Sequence, residues 1–551
     1  MTSKTQNLSI RLLRADYTPE KSVRSGVTLK DWPRLGGAKI ALGSAGGDAP
    51  RWAEFLDLAL EDKNTLRQRS SFGLVFLPVD ERWFAVSFGH GHSKLDPVSV
   101  EQDFGLRVVL NAVDHKKLRS ADLSTPDANT LSRRSQTSRA SERSAFEIDP
   151  ERHIVRGLLG EPKDKTFATK ISGGDALSLR RKIKVDDLPA ACSRALTLAA
   201  GDDYKQEFGW IDQIKHVREA DVLAKLTGSL VQALDEALKD PGKGDDLGLA
   251  YPAIYDPDRA SRVRFRGYGS SDHFPDLEVS HYLDGLRSKG ITSYVESFLR
   301  KHSVEECDDD GAPSGGAWPV QDCLVYEAEL DGQRFTLSGG RWYRIDPDLA
   351  KEVRDYFDKI EKVDLPPAEA GDNEKTYNAR VAAANAGMLC MDVKLVKPSD
   401  ASSAIEVCDF LGADGRLIHI KDKTESSRLS HLFNQGLVSA IVLKRDAPFR
   451  DRVVAEVAKQ PGGAAFSAVI AASGAEFAAD KHKVVFGVLT TTPEGKTPQL
   501  PFFSLISLRH AARRIADELG YKVAFSWIRK PAPGAGKKRK RKPSANGAAP
   551  A

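Results

Sequence analysis

The sequence predicts a multidomain protein of the mixed α/β class (α+β), with mixed α/β domains in its N-terminal part and an α-β-β-β-α core near its C-terminus. Three observations predict it. The chain has 551 residues, beyond the roughly 250–300 at which single hydrophobic cores stop growing. Its hydrophobic content of 41% and charged content of 29% are those of a chain that folds. Runs of period-two alternation also recur between runs of helical spacing along most of its length.

The first block, residues 1–150, reads as a mixed α/β domain. "LSIRLL" is a strand candidate, and "SFGLVFLPVDERWFAVSFGHGHSKL" flanks a turn at Asp80-Glu81, a hairpin signal in which Pro78 ends the first strand. "VEQDFGLRVVLNAVD" follows as a helix leading into a strand. The stretch 121–145 is rich in Ser, Thr and Arg and reads as an exposed connection, with Arg133, Arg134, Arg139 and Arg143 either solvated or available to phosphate.

Residues 151–250 read as mainly helical, because Val222, Leu223, Leu226, Leu230 and Leu234 recur near helical spacing. Residues 251–365 form a mixed region. There alternation around Asp331-Gly332 predicts a hairpin with a primed turn, and "DLAKEVRDYFDKI" supplies a helix. The Pro-, Gly- and acid-rich stretch 364–376 marks a boundary, 377–530 is the last folded block, and 531–551 is a disordered basic tail by composition.

Several function classes lose support on the same page. No stretch approaches about 18 apolar residues and no secretory signal opens the chain, so a cytoplasmic protein without membrane contact is expected. Five cysteines without a C-x-x-C pair fit a reduced compartment and argue against structural zinc. "GHGH" at Gly89–His92 lacks a third ligand nearby, and "GAGKK" lacks the first Gly and the Ser/Thr of a phosphate loop. Net charge is +4, and six positive charges lie in Lys537–Lys542, which leaves −2 for the rest.

Chemistry concentrates in "IEVCDFLGADGRLIHIKDK", residues 405–423. The surrounding pattern predicts a helix at "TYNARVAAANAG", strands at "MLCMDVKLV", "AIEVCDFL" and "RLIHIK", and a helix at "SSRLSHLFNQGLVSAIV". Hard oxygen ligands of the Asp and Glu kind suit Mg²⁺, and a cation beside a phosphodiester activates water and stabilises charge. A two- or four-residue turn puts Glu406 and Cys408 on the face of His419 and Lys421, with Asp409 opposite; a three-residue turn or a bulge reverses this. Either Glu406 or Asp409 is then the working carboxylate, and Asp392 on the preceding strand is a third candidate ligand. A salt-bridged, solvated sheet face is the plainer alternative. On the following helix His431 and Gln435 form a polar stripe opposite Leu429, Phe433, Leu437 and Ala440.

This arrangement resembles the core of the PD-(D/E)xK, restriction-endonuclease-like nucleases, in which an Asp on one strand and an (Asp/Glu)-x-Lys on the next hold a divalent metal and orient water. The resemblance implies Mg²⁺ or Mn²⁺ as cofactor, Asp392, Glu406 and Asp409 as metal ligands, Lys421 positioning water, and His419, His431 and Gln435 assisting. Two residues before Lys421 stands His419 where the motif has an acid. Histidine suits Mn²⁺ better than Mg²⁺.

Longer motifs, among them "DFGLRVVLNAVD", "LRSADLSTPDANTLSRRSQTSRAS", "LSHLFNQG" and "LPFFSLISLRHAARRIADELGYKV", resemble a sporadically distributed bacterial family of about 550 residues that carries a domain of unknown function. That resemblance implies a role in defence or mobile-element biology and partners among other defence-system proteins. Nucleic acid, DNA rather than RNA, is the expected substrate. Lys537, Lys538, Arg539, Lys540, Arg541 and Lys542 are expected to contact phosphate, as are Arg509 and Arg513 on the outer surface of a helix that buries Leu508, Ala512, Ile515 and Leu519. The functions left open are a metal-dependent nuclease, a non-catalytic nucleic-acid-binding or sensor protein, and a scaffold.

Overall fold

The computed structural model describes residues 4–46, 69–125, 132–244, 247–252, 262–275, 277–401, 403–422, 429–471, 476–492 and 497–531. The basic run 537–542 lies outside them. The chain divides into two compact units, the first made of Met1–Ser124 and Leu131–Gln213, the second of Thr125–Thr130 and Ile214–Ala551.

The first unit is organised by one ten-stranded sheet. Its strands are β1 (Lys4–Leu12), β2 (Lys30–Asp31), β3 (Lys39–Gly46), β4 (Arg69–Val79), β5 (Arg82–Gly89), β6 (Val113–Ser124), β7 (Ser132–Ser141), β8 (Ile154–Pro162), β9 (Lys170–Gly173) and β10 (Leu177–Ile183), in the order β2-β3-β4-β5-β1-β10-β9-β8-β6-β7. Asp80 and Glu81 both take positive φ, 48° and 61°, which fits the two-residue turn joining β4 to β5. Pro78 does not end β4: it stands opposite Trp83 in the ladder, and the strand runs on to Val79. Helices α1 (Phe104–Ala112) and α2 (Leu188–Ala200) share a core with one sheet face, where Phe104, Val108, Val109, Cys192 and Ala195 meet Leu177, Leu179 and Ile171.

The Ser- and Arg-rich stretch is not a loop throughout. Residues Ser132–Ser141 form the sheet's edge strand, paired with β6 alone, and none of them is buried. Ladder hydrogen bonds hold it, so the sequence carries no apolar alternation to reveal it. Arg134 forms a bidentate pair with Asp122 of β6, at 2.7 and 2.8 Å.

The second unit contains a five-stranded antiparallel sheet, a four-stranded antiparallel sheet and a six-stranded mixed sheet. In the five-stranded sheet, Leu324–Leu330 and Gln333–Ser338 are joined by Asp331 and Gly332 at φ 53° and 73°, the predicted primed turn. The six-stranded sheet positions the chemistry. Its strands are β11 (Glu361–Lys362), β12 (Met388–Cys390), β13 (Phe410–Gly412), β14 (Arg416–Asp422), β15 (Lys483–Thr490) and β16 (Lys522–Arg529), ordered β11-β16-β15-β14-β13-β12. Strands β12, β13 and β14 run antiparallel in turn, whereas β14, β15 and β16 are parallel.

Helix α3 (Glu374–Ala384) buries Tyr377 and Val381 against Phe410, Ile418 and Ile420. Helix α4 (Leu429–Arg445) brings Phe433 against Phe486 of β15, with ring centroids 5.2 Å apart. Strand alternation assigns Ile418 and Ile420 to one face and His419 to the other. The helix Phe502–Arg513 buries Leu508 and Ala512, as its spacing predicts. Arg509, expected on the outer surface, is 3% exposed, because both sides of that helix are covered. Arg513 is exposed, with its guanidinium carbon 5.3 Å from the Tyr356 ring centroid. No helix among the described residues is long and apolar enough to cross a membrane.

Candidate metal centre

The hairpin register decides where Asp409 stands. Phe410 stands opposite Ile418 and Leu411 opposite Leu417, so Ala413, Asp414 and Gly415 form a three-residue loop. Gly415 closes it at φ 85°, and its amide donates to the Gly412 carbonyl at 3.0 Å. This is the reversed register, and it holds back to Phe410, the residue after Asp409.

A second irregularity sharpens the placement. The Asp409 amide donates to the Ile418 carbonyl at 2.9 Å although Phe410 is the register partner of Ile418. Two residues therefore stand against one, as in a β-bulge. Beyond it β14 continues to Asp422 with β15 alongside, while its other edge loses its hairpin partner. Asp409 fills that notch. Its Oδ2 accepts from the Ile420 amide at 2.8 Å, and its Oδ1 accepts from Asn378 Nδ2 of α3 at 3.0 Å.

The strands predicted on either side are each interrupted. "MLCMDVKLV" splits into β12 and the pair Leu395–Val396, and "AIEVCDFL" splits into Ile405–Glu406 and β13; Leu395–Val396 and Ile405–Glu406 form a ribbon of their own. The break in the first follows from Val393, which sits at φ 61°, a left-handed conformation that costs a β-branched residue free energy. The Val393 amide donates to Glu406 Oε1 at 2.6 Å. The turn thereby turns Asp392 and Glu406 toward Asp409.

Ligand atoms of Asp392, Glu406 and Asp409 all lie within 4.8 Å of one another. Two oxygens on opposite sides of one Ca²⁺ are at most about 5.2 Å apart and on one Mg²⁺ about 4.2 Å. Separations within 4.8 Å are of the order found among carboxylates that share one hard divalent cation.

Electrostatics mark the same place. Burial pushes the Asp409 carboxyl well above the usual carboxylate range, Glu406, Glu374 and Asp392 add to this, and the Ile420 amide opposes it. Burial also raises Glu406, with the Val393 amide and Lys421 acting against it and Asp392 and Glu374 reinforcing it. Such a crowd of carboxylates binds a proton or a cation.

Lys421 Nζ pairs with Glu374 at 2.9 Å, with only 15% of the lysine side chain exposed. Glu374 and Asn378, one turn apart on α3, were not singled out from the sequence: Glu374 belongs to the acid-rich stretch read as a boundary. A local signal was present. Asn373 and Thr376 form a reciprocal cap, each backbone amide bonded at 2.9 Å by the other's side chain, and this starts the helix at Glu374.

His419 is not among the cation-facing groups. It is 3% exposed, it lies near Gly436 of α4 and the Phe486 ring, its Nε2 has no hydrogen-bond partner, and burial lowers its pKa to about 4. On α4, His431 is exposed and Gln435 half-buried.

Residues 6–529 match the model of a family described as a family of unknown function, DUF6119. No curated protein and no solved structure matches the chain.

Proposed function

The chain belongs to the DUF6119 family, whose description assigns no activity, and from the geometry of its C-terminal sheet we propose that it is a divalent-cation-dependent phosphodiesterase acting on nucleic acid. One observation carries this reading: three carboxylates with ligand atoms within 4.8 Å, beside a lysine held by a fourth acid. The order helix, three antiparallel strands, helix, parallel strand accords with the restriction-endonuclease-like resemblance.

Asp392, Glu406 and Asp409 would hold the cation, Mg²⁺ or Mn²⁺. When bound, it supplies a lowered pKa for water and charge stabilisation at phosphorus. Asn378 and the Ile420 amide fix the orientation of Asp409. Lys421, held at a defined place by Glu374, offers its ammonium to the attacking water or to a phosphate oxygen.

Purified protein incubated with DNA or RNA and Mn²⁺ or Mg²⁺ should nick or degrade it, and Lys421→Ala should remove the activity. Cleavage unaffected by that change overturns the assignment. A second reading, a nucleic-acid-binding or sensor protein without catalysis, is favoured by His419, which stands buried where the motif has an acid. It expects salt-sensitive binding and no cleavage with either cation.

A further inference from the structure

The first unit contains a cavity of about 750 Å³ whose charge is one-sided. Six cationic residues line it, Arg119, Lys165, Lys170, Arg180, Arg181 and Lys182, against the single acid Glu161. Glu161 is already engaged, accepting from Arg119 at 3.2 Å and from Lys165 at 2.8 Å. Among the described residues the side chains of Lys170, Arg180, Arg181 and Lys182 have no acidic partner.

The ladder makes this arrangement unfavourable without a ligand. Lys170 of β9 stands directly opposite Arg180 of β10, and both are exposed. Like charges directly opposite across a ladder destabilise it. Arg180 and Lys182 lie two residues apart on one strand, so they emerge on the same side with roughly 7 Å between them. A grid of cations spaced at about 5–7 Å, in a cavity lined otherwise by threonines and Glu161, suits a chain of repeating anions rather than one carboxylate.

We infer that this cavity is a binding cleft for the phosphate backbone of a polynucleotide. The bound phosphates neutralise the Lys170–Arg180 pair and accept from Lys182 on the same side, and the contacts read no base. The inference concerns binding by the first unit and shares with the phosphodiesterase reading only the class of ligand.

The test uses the full chain with the cations of 537–542 changed to Ala, so that the tail does not contribute, and keeps EDTA present so that nothing is cut. Labelled single-stranded DNA, duplex DNA and single-stranded RNA serve as probes in anisotropy titrations at several salt concentrations. Lys170→Glu, Arg180→Glu and Lys182→Glu together should weaken binding at least tenfold at about 0.15 M salt and flatten the log–log salt slope by about 2 for single strands or about 3 for duplex.

Lys170→Glu alone converts the repulsive pair into an attractive one. It should raise the melting temperature of the free protein while weakening binding, a combination that misfolding cannot produce. Unchanged affinity and salt slope in the triple variant overturn the inference, and so does equal binding of polyglutamate. A parent protein that binds these probes but cleaves none of them when Mn²⁺ or Mg²⁺ replaces EDTA counts against the phosphodiesterase reading alone.

Discussion

Lys421 Nζ lies 2.9 Å from one carboxylate oxygen of Glu374 and 3.0 Å from the other, which ties the end of β14 to the first residue of α3. Both partners are largely covered, at 15% and 30% side-chain exposure. The ammonium is therefore held in place beside the Asp392, Glu406 and Asp409 cluster instead of sweeping through solvent. Removing either partner tests what that placement does.

Lys421→Ala is expected to lower the rate of phosphodiester cleavage by about 10²–10³-fold, the usual loss when one transition-state donor is removed. Glu374→Gln keeps the shape of its side chain and releases the ammonium, so its loss should be smaller and should appear in kcat more than in KM. Single-turnover cleavage of a labelled strand measures both. Thermal unfolding should show both variants folded.

The three clustered acids should separate in stability though not in cation binding. Asp409→Ala leaves the Ile420 amide and the Asn378 side chain without their acceptor inside the fold, at a cost of about 2–3 kcal/mol. Asp392 and Glu406 are only partly buried, so their Ala variants should lose under about 1 kcal/mol. Denaturant unfolding measures the first effect, and Mn²⁺ titration should show weakened binding in all three.

Cation binding to the folded state alone should raise stability by about 2.7 kcal/mol at a free concentration one hundred times Kd. Melting with Mn²⁺ and then with excess EDTA should show the rise and its reversal. A rise that persists when Asp392 and Glu406 are both changed to Ala would place the cation elsewhere.

His419 makes stability depend on pH. Its folded-state pKa is about 4 because it is buried, and its unfolded value is about 6.5. Between those values the unfolded chain binds the extra proton, so stability is complete above about pH 6.5 and falls as pH drops toward 4, by up to roughly 3 kcal/mol. His419→Leu should flatten that part of the curve, as urea unfolding across the range would show.

Gly436 leaves room for the Phe486 ring: a Cβ there would lie 2.5 Å from Phe486 Cε1 and 3.4 Å from His419 Cδ2. Gly436→Ala gains helix propensity of about 1 kcal/mol but forces the ring aside, at about 1–3 kcal/mol. A net loss of stability is expected, and a second change, Phe486→Leu, should recover part of it.

Much of this protein was legible in the sequence because the signals are local. The mixed α/β class follows from apolar periodicity. The turns at Asp80-Glu81 and Asp331-Gly332 were legible from the alternation that flanks them, and Asp331-Gly332 also from the preference of that dipeptide for a primed turn. The grouping of Asp392, Glu406, Asp409 and Lys421 as residues of interest needed only their spacing on adjacent segments. Their roles were not legible. Where Asp409 stands depends on one residue of loop length and one bulge, and composition is silent on both; the lysine's ion-pair partner is Glu374, from a segment 47 residues away. The left-handed Val393 that breaks one predicted strand is a conformation its own side chain disfavours, so only the surrounding structure imposes it. His419 matched the motif position and was removed from it by packing against α4. The pairing of Lys170 with Arg180 joins strands whose register no local pattern fixes. Sequence periodicity sets many of the segments that become strands and helices, though not the polar edge strand Ser132–Ser141, whereas register, bulges and burial arise from contacts between distant segments, and those contacts alone decided which charged groups share a recess.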